Sequence, residues 1–279
     1  MSASIVSASI GEGAISRNAK PSAGFAEKLE TTKQLLTQAA RGHAPANGSP
    51  NGRGHGDGDR AASSRITQAS SLGAEDVVIS HLIESLKLPI DVFVLDTGML
   101  HTQTLALLAE WEARTRLEVR VFQPNAEAAI SFVARHGKDA MYESIELRKS
   151  CCQIRKGEPL ARALAGYDAW ITGMRREQSG DRADVPMKDT SQATGGGRIK
   201  YNPLADWSWG DVWHYIATNN VPYNPLHDQF FPSIGCAPCT RAISMGEDFR
   251  AGRWWWENHE QKECGLHVAA TPLNEGTPA

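Results

Sequence analysis

A chain of 279 residues has room for one large domain or two small ones, and with 41% hydrophobic residues, 25 Gly and 14 Pro it is neither collagen-like nor disordered throughout. Its 29 basic and 32 acidic side chains leave a net charge of −3, which excludes a general polyanion binder, so nucleic acid is not an expected partner, although a local basic pocket is compatible with it. No run approaches ~18 consecutive apolar residues and no charged-then-apolar leader follows Met1, so neither a membrane span nor an export signal is expected, and the chain reads as cytoplasmic.

Residues 1–64 differ in composition from the rest and read as a largely flexible N-terminal extension. Within it, Phe25, Leu29, Leu36 and Ala40 fall near helical spacing and predict a helix over 25–41. The Gly-, Asn-, Asp- and His-rich stretch 42–64 cannot bury enough apolar surface to offset its ordering entropy and reads as a solvated linker, His43 and His55 included. From Arg65 onward short apolar runs alternate with helical periodicity. Strands are expected at 66–69, 92–95, 119–122 and 169–172, and helices at 77–86, 101–115, 127–136 and 160–165. Such alternation implies an α/β fold with a doubly wound parallel sheet, whose ligands sit beyond the carboxyl ends of the strands. The loops 70–75, 96–99 and 173–179 gather there.

In the first of these loops Ser70 to Asp76 lie between strand and helix, where backbone N–H groups and hydroxyls suit a bound phosphate or sulfate, or serve only as a helix cap. Arg175, Arg176 and Arg182 after the fourth strand bring three guanidiniums, suited to bidentate oxyanion contacts, to the same sheet edge. Cys151 and Cys152 are adjacent, and Cys236-Ala237-Pro238-Cys239 is a CxxC pair. Together they supply four thiolates, the number that closes a zinc site or a 4Fe-4S cluster, and spacing alone does not choose between them. If 151–156 is helical, Arg155 and Lys156 each share a face with one of the adjacent cysteines and offset thiolate charge. Cys264 is the odd thiol, 15 residues from the C-terminus, with Arg250, Arg253 and His267 nearby in sequence to lower its pKa. The Trp254-Trp255-Trp256 run reads as buried packing.

Seven motifs in order, Ser70-Ser71-Leu72-Gly73-Ala74-Glu75-Asp76, Leu95-Asp96-Thr97-Gly98, Cys151-Cys152-Gln153-Ile154-Arg155-Lys156, Ile171-Thr172-Gly173-Met174-Arg175, Asn202-Pro203-Leu204-Ala205-Asp206-Trp207, the CxxC pair and Glu263-Cys264-Gly265-Leu266-His267, resemble the iron–sulfur type of assimilatory adenylyl-sulfate (APS) reductase in the phosphoadenylyl-sulfate reductase family. The resemblance covers about 65–267. It implies an adenine nucleotide α-hydrolase-like fold at 65–267, a mobile C-terminal segment and a tail at 268–279. It further implies one 4Fe-4S cluster on Cys151, Cys152, Cys236 and Cys239, with no net redox change of that cluster. By the same resemblance Cys264 attacks the sulfur of APS and becomes an S-sulfocysteine, from which thioredoxin or a glutaredoxin-like reductant releases sulfite in sulfate assimilation. Lys156, Arg182, Arg250, Arg253 and His267 fall to the phosphosulfate, and Ser70, Ser71, Gly73, Asp76, Leu95, Thr97 and Gly173 to the nucleotide. Leu72 departs from relatives that carry a further Ser there. The alternatives are the 3′-phosphorylated substrate (PAPS) or both substrates, an adenylylating ATP pyrophosphatase on the same scaffold, and a non-catalytic iron–sulfur redox sensor. Oligomeric state is left open, a homo-oligomer included.

Overall fold

The computed structural model describes residues 13–44, 65–191 and 197–257. Six strands form one sheet: β1 (Ile66–Ser70), β2 (Asp91–Leu95), β3 (Val119–Phe122), β4 (Ala169–Ile171), β5 (Lys188–Asp189) and β6 (Ile199–Tyr201). Their order is β3-β2-β1-β4-β6-β5, parallel throughout except for β5, which runs antiparallel at one edge. The strands flanking β1, namely β2 and β4, are short and largely apolar because both faces are covered, while β1 itself buries Thr67, Gln68 and Ser70. In β2, Val92 and Val94 join a core on one face while Phe93 joins Trp170, Ala163 and Leu164 on the other. The outer strand β3 is half-covered, and its Val121 is 41% exposed.

The large core face is closed by α2 (Phe25–Gly42), α3 (Ala74–Ser85), α4 (Thr102–Arg114) and α8 (Trp209–Asn219), through Leu36, Val78, Leu107 and Trp213 among others. α7 (Glu158–Ala163) covers the opposite face, with α5 (Ala126–His136) and α6 (Ile145–Cys152) beside it in the chain. The expected doubly wound α/β sheet is the observed one, with each forecast strand and helix present within a few residues of its expected ends.

The N-terminal extension contributes to this core. Helix α2 forms where the apolar spacing places it, and a short α1 (Ala14–Asn18) precedes it. Both dock on α8, whose N-terminus is closed by a capping box between Ser208 and Asp211. Asp211 also accepts from the backbone N–H and hydroxyl of Ser22 (2.7 and 2.9 Å) and from Lys28 Nζ (3.0 Å). Burial pushes its carboxyl up, but hydrogen bonds from Ser208, Ser22 and Lys28 outweigh that and bring it to about 2. A Cβ on Gly210 would stand 2.0 Å from the Lys20 carbonyl oxygen, so only glycine lets the N-terminal segment cross here. His43, expected in a solvated linker, instead contacts the Tyr201 ring edge-on at 6.0 Å, and burial lowers its pKa. His55 and the rest of 45–64 lie outside the described residues. None of the described helices is long and apolar enough to cross a membrane.

Candidate active site

The chain runs β1, β2, β3 toward one edge and then returns to place β4 on the other side of β1, so the order reverses between β1 and β4. That switch point is where loops diverge and leave a crevice. A cavity of about 210 Å³ occupies it. Ser70, Ser71, Gly73, Asp76, Leu95, Thr97, Lys156, Gly173, Arg182, Arg250 and Arg253 all line it. His267 and Cys264 lie outside the described residues.

The loop after β1 is shaped by Asp76, in the first turn of α3. Its carboxylate accepts from the Ser71 backbone N–H (2.7 Å) and hydroxyl (2.6 Å). Leu72 takes a left-handed φ of 59°, held by its buried side chain and by a bond from its N–H to Ser70 Oγ at 3.3 Å. Across the crevice Gly173 must be glycine, since a Cβ there would meet Asp76 Oδ1 at 2.5 Å and the Glu75 Cβ at 2.8 Å. Burial raises the Asp76 carboxyl from an ordinary 3.8 to about 6, against the lowering effect of the Ser71 bonds.

Between these two values the folded chain holds a proton that the unfolded chain has released, so the Asp76 contribution falls as pH climbs through this window. The full cost above the window is about 3 kcal/mol. Wild-type stability minus that of Asp76→Asn is therefore expected to drop by about 2 kcal/mol between pH of about 4 and about 7.5, the rest of the change lying below pH of about 4. Denaturant unfolding at the two pH values checks this, and a difference that stays flat refutes it.

The cationic wall differs from the expected trio of guanidiniums. Arg175 is 1% exposed and spent on Glu75 (2.9 Å), Glu177 and the Trp207 carbonyl, while Arg176 pairs with Asp206 and the Val185 carbonyl. Of the three, Arg182 is the one that lines the cavity. It is joined by Lys156 and by Arg250 and Arg253, whose guanidiniums lie 6.0 and 4.6 Å from the Trp254 ring centre. Of the run expected to be buried, Trp254 is, and it gives those cations an apolar, electron-rich backing, whereas Trp255 is 39% exposed and Trp256 half-buried. Gly235 leaves the space for Arg253: a Cβ there would fall 2.5 Å from its Nη2.

Cys151, Cys236 and Cys239 share a buried cluster with Met141 and Trp254, and Cys152 is half-buried beside them on α6. The expected continuous helix over 151–156 is corrected by the structure: α6 stops at Cys152 and a π-helical turn runs over Gln153–Gly157. The turn is wider than an α-helical one, and a Cβ on Gly157 would displace the Gln153 amide, standing 2.3 Å from its Oε1. The extra residue changes the facing of the cations. Arg155 reaches both Cys151 and the Thr97 carbonyl (2.8 Å), while Lys156 lines the cavity. Burial pushes the Cys151 thiol up against the pull of Arg155, and pushes Cys239 up to about 12, with Cys236 adding to the rise. Among the described residues no three His, Cys, Asp or Glu groups converge as a site for one metal ion.

Thr97 joins the two halves of the site. It lines the cavity, and its Oγ1 lies 3.2 Å from Cys236 Sγ. The next turn needs Gly98, with φ of 68°, and is stapled to the CxxC segment by the bond from Ala237 N to Met99 O (2.7 Å). Glu75, Gln178 and His227 also line the cavity. Glu75 and Gln178 fall in loops expected at this edge, but their roles carry no local mark, since the two meet across 103 residues of sequence at 2.9 Å, and His227 lies in no motif read from the sequence. His227 hydrogen-bonds the Phe231 carbonyl through Nδ1 at 2.7 Å, and burial lowers its pKa to about 4, so it is a neutral ring.

The same architecture and sequence occur in known proteins. The "Phosphoadenosine phosphosulfate reductase domain" family matches residues 65–242. A protein of Burkholderia cepacia named adenosine 5′-phosphosulfate reductase is 53% identical over 210 residues, 75% of this chain and 83% of that protein. One of the same name from Neisseria meningitidis serogroup A is 50% identical over 244 residues, 87% of this chain and 91% of its own length. Among solved structures, phosphoadenylyl-sulfate (PAPS) reductase from Candida auris in a phosphate complex superposes with a TM-score of 0.57 at 26% identity, covering 74% of this chain and 88% of that one. Yeast FAD synthetase in complex with FAD shares the fold alone, with a TM-score of 0.51 at 15% identity over 79% of this chain and 67% of that one. With more than half its length matched to the family and about half the residues of the aligned stretches identical in such relatives, the chain belongs to the phosphoadenosine phosphosulfate reductase family.

Proposed function

We propose that this chain reduces adenosine 5′-phosphosulfate to sulfite and AMP in sulfate assimilation, through an S-sulfocysteine on Cys264. One arrangement carries the reading: a nucleotide-sized crevice at the sheet's switch point has four cationic side chains on its wall and, through Thr97, touches the buried thiols. Relatives near 50% identity are named for the substrate without the 3′-phosphate, which favours APS over its 3′-phosphorylated form.

The Ser70, Ser71 and Gly73 loop, with Leu95, Thr97 and Gly173, would hold the nucleotide, and Asp76 would fix the loop's shape. Lys156, Arg182, Arg250 and Arg253, with His267, would bind the phosphosulfate. The Cys264 thiolate attacks the sulfur, the bond from sulfur to the bridging phosphate oxygen breaks, and AMP departs with that electron pair. The cations stabilise charge as it builds on the leaving phosphate. A dithiol protein of the thioredoxin or glutaredoxin kind, in the cytoplasm, then attacks Cys264 Sγ. Sulfite leaves with the bonding pair, and the reductant's second thiol frees the enzyme cysteine as the reductant becomes a disulfide.

Cys151, Cys152, Cys236 and Cys239 form a thiol-only donor set with Arg155, Lys156 and Arg253 close enough to act on its charge, which fits a 4Fe-4S cluster. Such a group, when bound, supplies fixed charge beside the cations and ties the two cysteine-bearing segments together. About four iron per chain and a brown colour are expected, against one zinc and no colour. To test the reading, the protein is mixed with APS in the absence of any reductant. The expected result is one AMP released per chain and one sulfonate added to the peptide containing Cys264. Sulfite produced while the polypeptide mass stays unchanged would overturn it.

A further inference from the structure

Glu75, Gln178 and Arg182 in the cavity wall form a connected chain of buried groups with Arg175 behind them. Gln178 Nε2 donates to Glu75 Oε1 (2.9 Å) and to the Gly173 carbonyl (3.3 Å), while its Oε1 accepts from the Arg175 backbone N–H (3.1 Å) and from Arg182 Nη1 (2.5 Å). Both ends of the amide are therefore fixed. A flipped amide would set donors against two N–H donors on one side and an oxygen against two acceptors on the other. Glu75, which holds the amide, is itself held by Arg175 Nε at 2.9 Å. All four side chains are at most about a tenth exposed, so none of these bonds is diluted by water.

The geometry assigns Gln178 as the positioning residue for Arg182: through the amide, the Glu75–Arg175 pair fixes where the Arg182 guanidinium stands in the cavity. A neutral amide suits that task. It directs the cation through a strong acceptor without adding a negative charge that would compete with an anionic ligand for it. Within the proposed reaction the consequence is confined to the charged end of the substrate. The amide's second bond, to Gly173 O, ties this positioning to the strand end beside the β1 loop, so the cation is registered against the nucleotide side of the crevice.

This inference rests on Arg182 contacting the anionic end of APS, and the experiment separates the two. The KM for APS, measured by sulfite release with excess dithiol reductant, is compared with the competitive inhibition constant of adenosine, which carries no anion. Arg182→Ala is expected to raise the KM at least tenfold and leave the adenosine constant within threefold. If the KM does not move, Arg182 does not bind the anion and the underlying reading fails. Gln178→Met, which removes the amide without adding charge, is expected to raise the KM at least fivefold with the adenosine constant again within threefold. An Arg182 effect without a Gln178 effect overturns the positioning role. So does a Gln178→Met variant in which both constants weaken together, because that is loss of structure rather than of aim. Should Gln178→Met fail to fold, Gln178→Asn, an amide one methylene too short to span both sides, is held to the same criteria.

Discussion

Replacing Cys264 by Ser is expected to lower sulfite formation by three orders of magnitude or more, while the affinity for AMP changes less than threefold and the iron content is unchanged. A thiolate is the attacking species in the proposed step, and a serine hydroxyl at neutral pH has neither the charge nor the polarisable sulfur. Loss of a covalent nucleophile characteristically costs about 10⁴–10⁶ in turnover, and what survives comes from binding and electrostatics alone. The four cysteines of the buried set stand apart in this respect. Cys239, pushed up to about 12 by burial, and Cys151, likewise raised, are poor nucleophiles as thiols, and in the proposed reading all four are taken up as cluster ligands. Cys264 is the remaining cysteine in the sequence. Turnover that survives Cys264→Ser unchanged would remove the covalent mechanism, and with it the distinction from a non-catalytic redox protein.

Much of this architecture is written in short-range pattern. The apolar run of β2 stands out because a parallel strand buried on both faces is apolar throughout, whereas β1 buries Thr67, Gln68 and Ser70 among its five residues and β3 is half-exposed. The binding loops follow from strand order alone, since whatever lies after β1, β2 and β4 is delivered to one edge. What escapes such reading has tertiary causes. Strand β6 is three residues with a lysine at its centre. Lys200 is 3% exposed only because it lies over the Trp170 ring and 3.0 Å from Met174 Sδ. Helix α8 carries a local signal in Ser208-Trp209-Gly210-Asp211, a capping pattern that sits ahead of an apolar run. The division of labour among Arg175, Arg176 and Arg182 has no such mark, because it depends on where Glu75 and Asp206 arrive in space. The helix expected over 151–156 hides a π-turn: Cys151 and Cys152 end the regular helix α6, and the turn that follows them carries both cations. It re-aims Lys156 into the crevice while leaving Arg155 on the thiols.

Glu257→Ala is expected to cost about 3–5 kcal/mol of unfolding free energy, the second large effect. Arg148 lies on α6 three residues before Cys151. Its Nε and Nη2 meet the two Glu257 oxygens at 2.9 and 2.7 Å, and both side chains are almost wholly buried (1% and 3% exposed). The guanidinium also lies 4.8 Å from the Trp254 ring centre, so the pair is clamped between the cysteine-bearing helix and the tryptophan that backs Arg250 and Arg253. Removing the carboxylate takes the bidentate counter-charge from a cation that water cannot reach, which is what makes the single substitution expensive. Replacing both partners, as in Arg148→Met with Glu257→Leu, leaves no charge behind and is expected to cost less than Glu257→Ala alone. Denaturant unfolding of the wild type, both single variants and the double variant closes this cycle. A Glu257→Ala loss below about 1 kcal/mol would show the pair to be solvent-relaxed rather than clamped. The clamp also bears on catalysis. Cys264 follows Glu257 by seven residues, a span of at most about 25 Å for fully extended chain, so the point at which Glu257 is held sets the region its sulfur can reach. A folded Glu257→Ala protein is accordingly expected to lose sulfonation rate at Cys264 while retaining its affinity for AMP, and equal rates in variant and wild type would separate the anchor from the chemistry.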